Sequence, residues 1–330
     1  MKKVDICEQI INMRDSSIVR NERIDSVKYW LMVLVIAGHV LMYDTNTKAS
    51  VVTWKWIYIF HMPLFIFFSG YFSRKKEKAD VSAFIWKLLE PLIVFQVLTL
   101  LPRFFFESFS LITILTPWTV LWYFLSLIYW RLMIQIIPSR FLNNSRLIMI
   151  SSFCISILVG LLPFDTLLSL QRTFAFMPFF FLGYCMRGRN LFFAERYKPL
   201  SLAFLILTFS IPILIPQYLG DIFHAYPYDN YYYAVSRILL FFISIPISLA
   251  FLNICPNTSW IAQQGKLTMQ YLIYHALLIP PFMVVVSKLN IPMSFTTAII
   301  YTLIITGGIG FASRLPLFKK LTNPSSLLKK

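Results

Sequence analysis

The feature that most constrains this chain is a succession of apolar stretches near the length, about 20 residues, that a helix needs to cross a hydrocarbon core. They run Val27 to Tyr43, Val52 to Phe72, Val81 to Leu101, Trp118 to Ile137, Leu147 to Leu162, Arg172 to Met186, Pro199 to Ile215, Val235 to Ile254, Leu267 to Ser287 and Phe295 to Ser313. In lipid, every backbone N–H and C=O of a spanning segment must find its partner internally. The stretches therefore predict an all-α polytopic membrane protein of about ten transmembrane helices. Composition agrees: 58% of the 330 residues are hydrophobic and mean hydropathy is +0.69, too apolar for a water-soluble domain of this size.

A net charge of +16 would fit nucleic-acid binding if the cations formed a patch, so their placement decides. The amino-terminal tail, the loops SRKKEKAD, PSRFLNNSR and RGRNLFFAERYK, the Gln263 to Lys266 region and the carboxy-terminal tail hold most of the lysines and arginines. The alternate loops DTNTKAS, PRFFFESFSLITILTP, PFDTLLSLQ, QYLGDIFHAYPYDNYYYA and KLNIPMS hold only Lys48, Arg103 and Lys288. This is the positive-inside pattern, with both termini cytoplasmic and an even number of spans. The charge is topological and predicts no nucleic-acid partner. Residues 1–26 read as a cytoplasmic tail, 27–313 as one transmembrane domain and 314–330 as a second cytoplasmic tail. The first apolar run follows a polar, basic tail and lacks a small-residue cleavage pattern, so a retained signal anchor is expected. Cys7, Cys154, Cys185 and Cys255 all fall away from the external loops and are expected as free thiols.

Ionisable side chains inside such spans are costly and mark function. His39 lies in the outer half of the first span and His61 near the middle of the second, two antiparallel neighbours joined by a short loop. Neutral imidazoles hydrogen-bonded between helices would be the simplest use of both. Lys28 adds information. It precedes His39 by eleven positions, about three helical turns, so both project from nearly one face, roughly 16 Å apart along the axis. A lysine there also suits snorkelling and topology alone. Asp25, one turn before Lys28, is placed to pair with it, and Gly38 leaves room beside His39 for a substrate or another helix. Arg172 and Arg237 fall near external helix ends, either as clamps for an anionic glycan or as interfacial residues. The loop holding Asp221, His224, Tyr226 and Asp229 offers the stacking faces and hydrogen-bond partners that sugars need, against the alternative of an interfacial aromatic belt.

The stretches RIDSVKYWLMVLVIAGH and FHMPLFIFFSGYF, with KLLEP, LWYFLSLIYWRL, RTFAFMPFFFLGY and YLIYHALLI further on, resemble the acyltransferase family 3 integral membrane proteins. The resemblance covers about Arg23 to Ser313. Its first helix carries a basic residue, usually arginine, ahead of an essential histidine. Here Lys28 stands in that place, a point charge instead of a bidentate fork. The resemblance implies transfer of an acyl group, often acetyl, from cytoplasmic acyl-CoA to a hydroxyl of a carbohydrate or lipid-linked glycan. A bacterial surface polysaccharide such as O-antigen, modified at the inner (plasma) membrane, is the expected setting, with no bound cofactor and no metal. His39 and His61 would carry the chemistry, His39 as proton acceptor or as transient acyl carrier. Lys28, Asp25, Arg74 and Lys87 would form the donor-binding rim, with Lys75, Lys76 and Lys78 beside them. Arg172, Arg237, Tyr226 and Asp229 would bind the acceptor. His275 matches a late histidine pattern of the family, with packing as the plainer role.

Two rivals come from other classes. A proton-coupled transporter also uses buried histidines, yet it should show two related halves, and the Lys28 and His39 pattern has no counterpart in the second half. A lipid-sugar glycosyltransferase would need an acidic face that these short loops cannot build.

Overall fold

Asn21 starts the first helix. Its side-chain oxygen accepts hydrogen bonds from the backbone N–H groups of Arg23 and Ile24 at 2.9 and 3.4 Å, and Glu22 and Asp25 put acid at the positive end of the helix dipole. Helix α1 (Glu22–Leu41) therefore begins ahead of Val27, where the apolar run starts. The computed structural model describes residues 21–75, 78–106, 114–117 and 119–322. After α1 come α2 (Lys48–Tyr71), α3 (Lys78–Phe106), α4 (Leu121–Ile136), α5 (Ser139–Leu142), α6 (Ser145–Leu158), α7 (Leu170–Cys185) and α8 (Lys198–Thr208). The chain continues with α9 (Ile211–Leu214), α10 (Tyr231–Ile254), α11 (Ser259–Gly265), α12 (Thr268–Lys288), α13 (Phe295–Ala312) and α14 (Pro316–Leu321). No strand occurs among the described residues, and each predicted span overlaps helix there, the one from Pro199 to Ile215 being split between α8 and α9. Among the described residues, seven helical stretches are long and apolar enough to cross a membrane: α1, α2, Val81–Leu100 of α3, Glu195–Leu214 (which contains α8 and α9), α10, α12 and α13. Helices α4, α6 and α7 are shorter, at 16, 14 and 16 residues.

The centre of the bundle is formed by α1, α2 and α7. Helix α1 packs against α2, α11, α12 and α13, while α2 packs against α7 and α10 as well. Lipid tails give no hydrophobic drive for helices to associate, so close crossings depend on small residues. The α2–α7 crossing uses two. A Cβ on Gly70 would collide with the Phe180 carbonyl oxygen, and one on Gly183 with that of Phe67. We expect Gly183→Ala to separate these backbones, lowering stability by about 1–3 kcal/mol, the usual range for overpacking. Thermal unfolding in detergent checks this: a midpoint several degrees lower is expected, whereas an unchanged midpoint would mean that the crossing is not tight.

Several lysine- and arginine-rich loops gather at one end of the bundle. There the Lys75 Nζ donates to the Ile137 carbonyl at 3.2 Å, Tyr71 Oη donates to the Arg189 carbonyl at 2.9 Å, and Arg23 pairs with Glu195 at 3.7 Å. Helix α14 docks at this end too, its Phe318 carbonyl accepting from Tyr274 Oη at 2.6 Å. At the other end the Tyr228 N–H donates to the Gly160 carbonyl at 2.7 Å, and Thr116, Asp165 and Phe223 border one cavity. Cys154, Cys185 and Cys255 are free thiols. Cys7, Lys76 and the Lys78 side chain lie outside the described residues.

Candidate active site

Between the loop-rich, cation-poor end and the middle of the bundle lies a cavity of about 540 Å³, within the usual range for small-ligand pockets. Val35, His39 and Met42 of α1 face Tyr58, His61 and Met62 of α2 across it. Its rim comes from Thr116, Pro117, Thr119 and Val120, from Asp165, Thr166 and Ser169, and from Phe223, Ala225 and Tyr226. Three rim residues hold left-handed backbone without being glycine, Thr119 (φ 39°), Asp165 (48°) and Ser169 (57°), as do Leu168 (48°) and His224 (48°), which do not line the cavity. Such conformations persist only where surroundings enforce them, and they cluster at ligand sites.

The two predicted histidines do line one cavity, but they do not bond to one another in the way the sequence reading allowed. The Tyr58 ring stands between them, 4.6 Å from the His61 ring and 5.9 Å from the His39 ring, edge-on to both. Its Oη lies 3.2 Å from His39 Nδ1. His61 Nδ1 is 2.9 Å from the Ile57 carbonyl. A carbonyl oxygen only accepts, so Nδ1 carries the proton and the neutral ring keeps its lone pair on Nε2. A third imidazole joins them. His275 of α12 stacks obliquely 5.2 Å from His39, its Nδ1–H donating to the Tyr271 carbonyl at 2.7 Å, and its buried Nε2 has no hydrogen-bond partner. Of the two uses open to Gly38, room for a substrate or for another helix, the structure shows the second: a Cβ there would stand 2.8 Å from Tyr58 Cε2, so the space belongs to the Tyr58 ring of α2.

Of the expected acceptor-binding residues, Arg172 and Tyr226 line the cavity. The Arg172 guanidinium lies over the Trp122 indole, 5.2 Å from its centroid. Arg237 and Asp229 do not line the cavity. Arg237 is buried away from the cavity, donating to Asp221 Oδ2 and to the Ser156 carbonyl at 3.0 Å each, with Tyr228 stacked on it. A guanidinium so engaged holds the loop. Asp229 is exposed and does not line the cavity. His224 Nδ1 approaches the same Asp221 oxygen at 3.4 Å. Burial pushes this imidazole below its ordinary value, and Asp221 only partly opposes that, so His224 is neutral near pH 7 and the Asp221 charge is left to Arg237.

The expected donor rim lies at the opposite end of α1. Lys28 Nζ pairs with Asp25 Oδ1 at 3.3 Å, as the spacing predicts, and sits 4.6 Å above the Phe72 ring. Asp25 is buried, so it orients Lys28 and offers no surface to a ligand. Arg74 and Lys87 are exposed. Tyr58 was not singled out from sequence. Its position three residues before His61, on the same helical face, was the available signal.

A family model described as an acyltransferase domain matches residues 21–313. Comparison with curated proteins and with solved structures found no match.

Proposed function

The chain belongs to acyltransferase family 3, and on that premise we propose that this multi-pass membrane acyltransferase moves an acetyl group from cytoplasmic acetyl-CoA to a carbohydrate hydroxyl. The acceptor is a bacterial surface polysaccharide such as O-antigen, or its lipid-linked precursor, and the membrane is the bacterial inner membrane. One observation carries this reading. A cavity holding His39 and His61 opens among the cation-poor loops, while the same helix α1 ends in Lys28 on the cation-rich side. Acceptor and donor would thus approach one reaction centre from opposite faces.

The chemistry follows from the groups present. An acceptor hydroxyl oxygen attacks the thioester carbonyl carbon, the C–O bond forms, and the C–S bond breaks. His39 Nε2 takes the hydroxyl proton, and the departing thiolate recovers a proton from the resulting imidazolium, leaving an O-acetyl ester and free CoA. His61, whose Nε2 keeps its lone pair, accepts a hydrogen bond from the incoming acceptor and orients it. Arg172 faces the anionic or polar groups of the glycan, and sugar rings stack against Tyr226, which lines the same cavity. On the other side, Lys28, Lys75 and Lys87 meet the donor phosphates as point charges and Arg74 as a bidentate fork.

Donor kinetics test this arrangement. Lys28→Ala is expected to raise the apparent KM for acetyl-CoA with a smaller change in kcat, and Lys28→Arg to restore it, because the role assigned is charge at the rim. Unchanged donor kinetics in Lys28→Ala would reduce Lys28 to a topological residue.

A further inference from the structure

We infer that Tyr58 is a positioning residue for acyl transfer: its hydroxyl accepts the Nδ1–H of His39 and so presents the Nε2 lone pair of that imidazole to the acceptor hydroxyl. The inference rests on the reading of His39 given above.

His39 differs from its two imidazole neighbours. His61 and His275 each donate Nδ1–H to a carbonyl of their own helix, four residues back, which fixes their tautomers without help from another element. His39 Nδ1 instead meets a phenol from α2 at 3.2 Å. A phenol oxygen both donates and accepts. If it donated to Nδ1, Nε2 would carry hydrogen and could not take a proton. If it accepts from Nδ1–H, Nε2 is basic, and the same contact stabilises the imidazolium that forms when Nε2 is protonated. Only the second arrangement serves proton removal.

The tyrosine is held in place for this contact. Its ring packs on Gly38, where any Cβ would stand 2.8 Å from Cε2, so the residue before His39 is shaped to the ring. Trp54 and Phe223 close on the other sides with edge-on contacts at 5.6 and 5.1 Å. A side chain wedged on several faces has its rotamer set by packing, which is what an orienting group needs. Ring packing alone would be met equally well by phenylalanine. The hydroxyl is what distinguishes the two roles.

The test compares the purified full-length chain with Tyr58→Phe, His39→Ala and the double variant, using acetyl-CoA labelled in its acetyl group and cell-envelope polysaccharide as acceptor. Tyr58→Phe is expected to lower kcat about 10- to 100-fold, the range for losing a hydrogen bond to a charged group, with the KM for acetyl-CoA within about twofold. In the His39→Ala background the same change should cause no further loss, because Tyr58 acts through His39. If His39→Ala is inactive while Tyr58→Phe turns over like the parent, or if the two losses multiply, the tyrosine only packs. If His39→Ala is itself active, the reading of His39 fails and the role of Tyr58 falls with it. Should Tyr58→Phe be recovered poorly, Gly38→Ala probes the contact from α1. The new methyl must push the ring and lower kcat, and unchanged turnover there would overturn the inference equally.

Discussion

Replacing His39 with alanine is expected to reduce acyl transfer by about 10²- to 10⁴-fold, the usual effect of losing a general base, while leaving insertion and donor binding intact. Insertion should survive because the span keeps its apolar length without the imidazole. Folding should survive because the side chain borders an existing cavity, so its removal enlarges a space already present. Donor binding should survive because Lys28 stands about three turns away, at the other end of the helix. A histidine that merely packed would show the reverse, a lower unfolding temperature with residual turnover. Measuring rate, thermal midpoint and acetyl-CoA binding on the same preparation separates the two.

Arg237→Ala should produce the largest loss of stability. Both members of the Arg237–Asp221 pair are only 3% exposed, so truncation leaves a carboxylate buried without its cation, which commonly costs about 3–5 kcal/mol. It also removes the hydrogen bond to the Ser156 carbonyl that ties α10 to α6, and the guanidinium under Tyr228. The loop from Asp221 to Tyr228 supplies part of the cavity rim, so turnover should fall along with the thermal midpoint. Replacing the pair together, Arg237→Met with Asp221→Leu, should recover much of the stability, since an apolar pair of similar volume carries no desolvation penalty. An arginine that clamped the acceptor would behave otherwise: Arg237→Ala would raise the acceptor KM and leave the midpoint unchanged.

The contrast between Arg237 and Arg172 shows where sequence was sufficient. Hydropathy located the spans because the bilayer imposes length and internal hydrogen bonding on each one separately. The Asp25–Lys28 pair was legible because it is set by helical spacing within one element. Arg237 was not, because its partner Asp221 lies across a loop whose path depends on a left-handed His224 and on contacts with α6. Gly38 was left between a substrate and another helix for the same reason. Whether a glycine receives a ligand or a side chain depends on the register between α1 and α2, and here Tyr58 fills it. His275 was visible as an intramembrane histidine, but its position 5.2 Å from His39 follows from how α12 packs on α1, which periodicity along either helix does not encode.

On the proposed mechanism an acetyl group passes from CoA to a sugar hydroxyl in the cavity between α1 and α2. The most direct measurement incubates the purified protein in detergent with acetyl-labelled acetyl-CoA and cell-envelope polysaccharide, then counts polysaccharide-bound label released by mild alkali, the signature of an O-ester. The parent protein should deposit alkali-labile label with matching release of free CoA, and well-folded His39→Ala should deposit none. No label from the folded parent, or equal label from His39→Ala, would contradict the account.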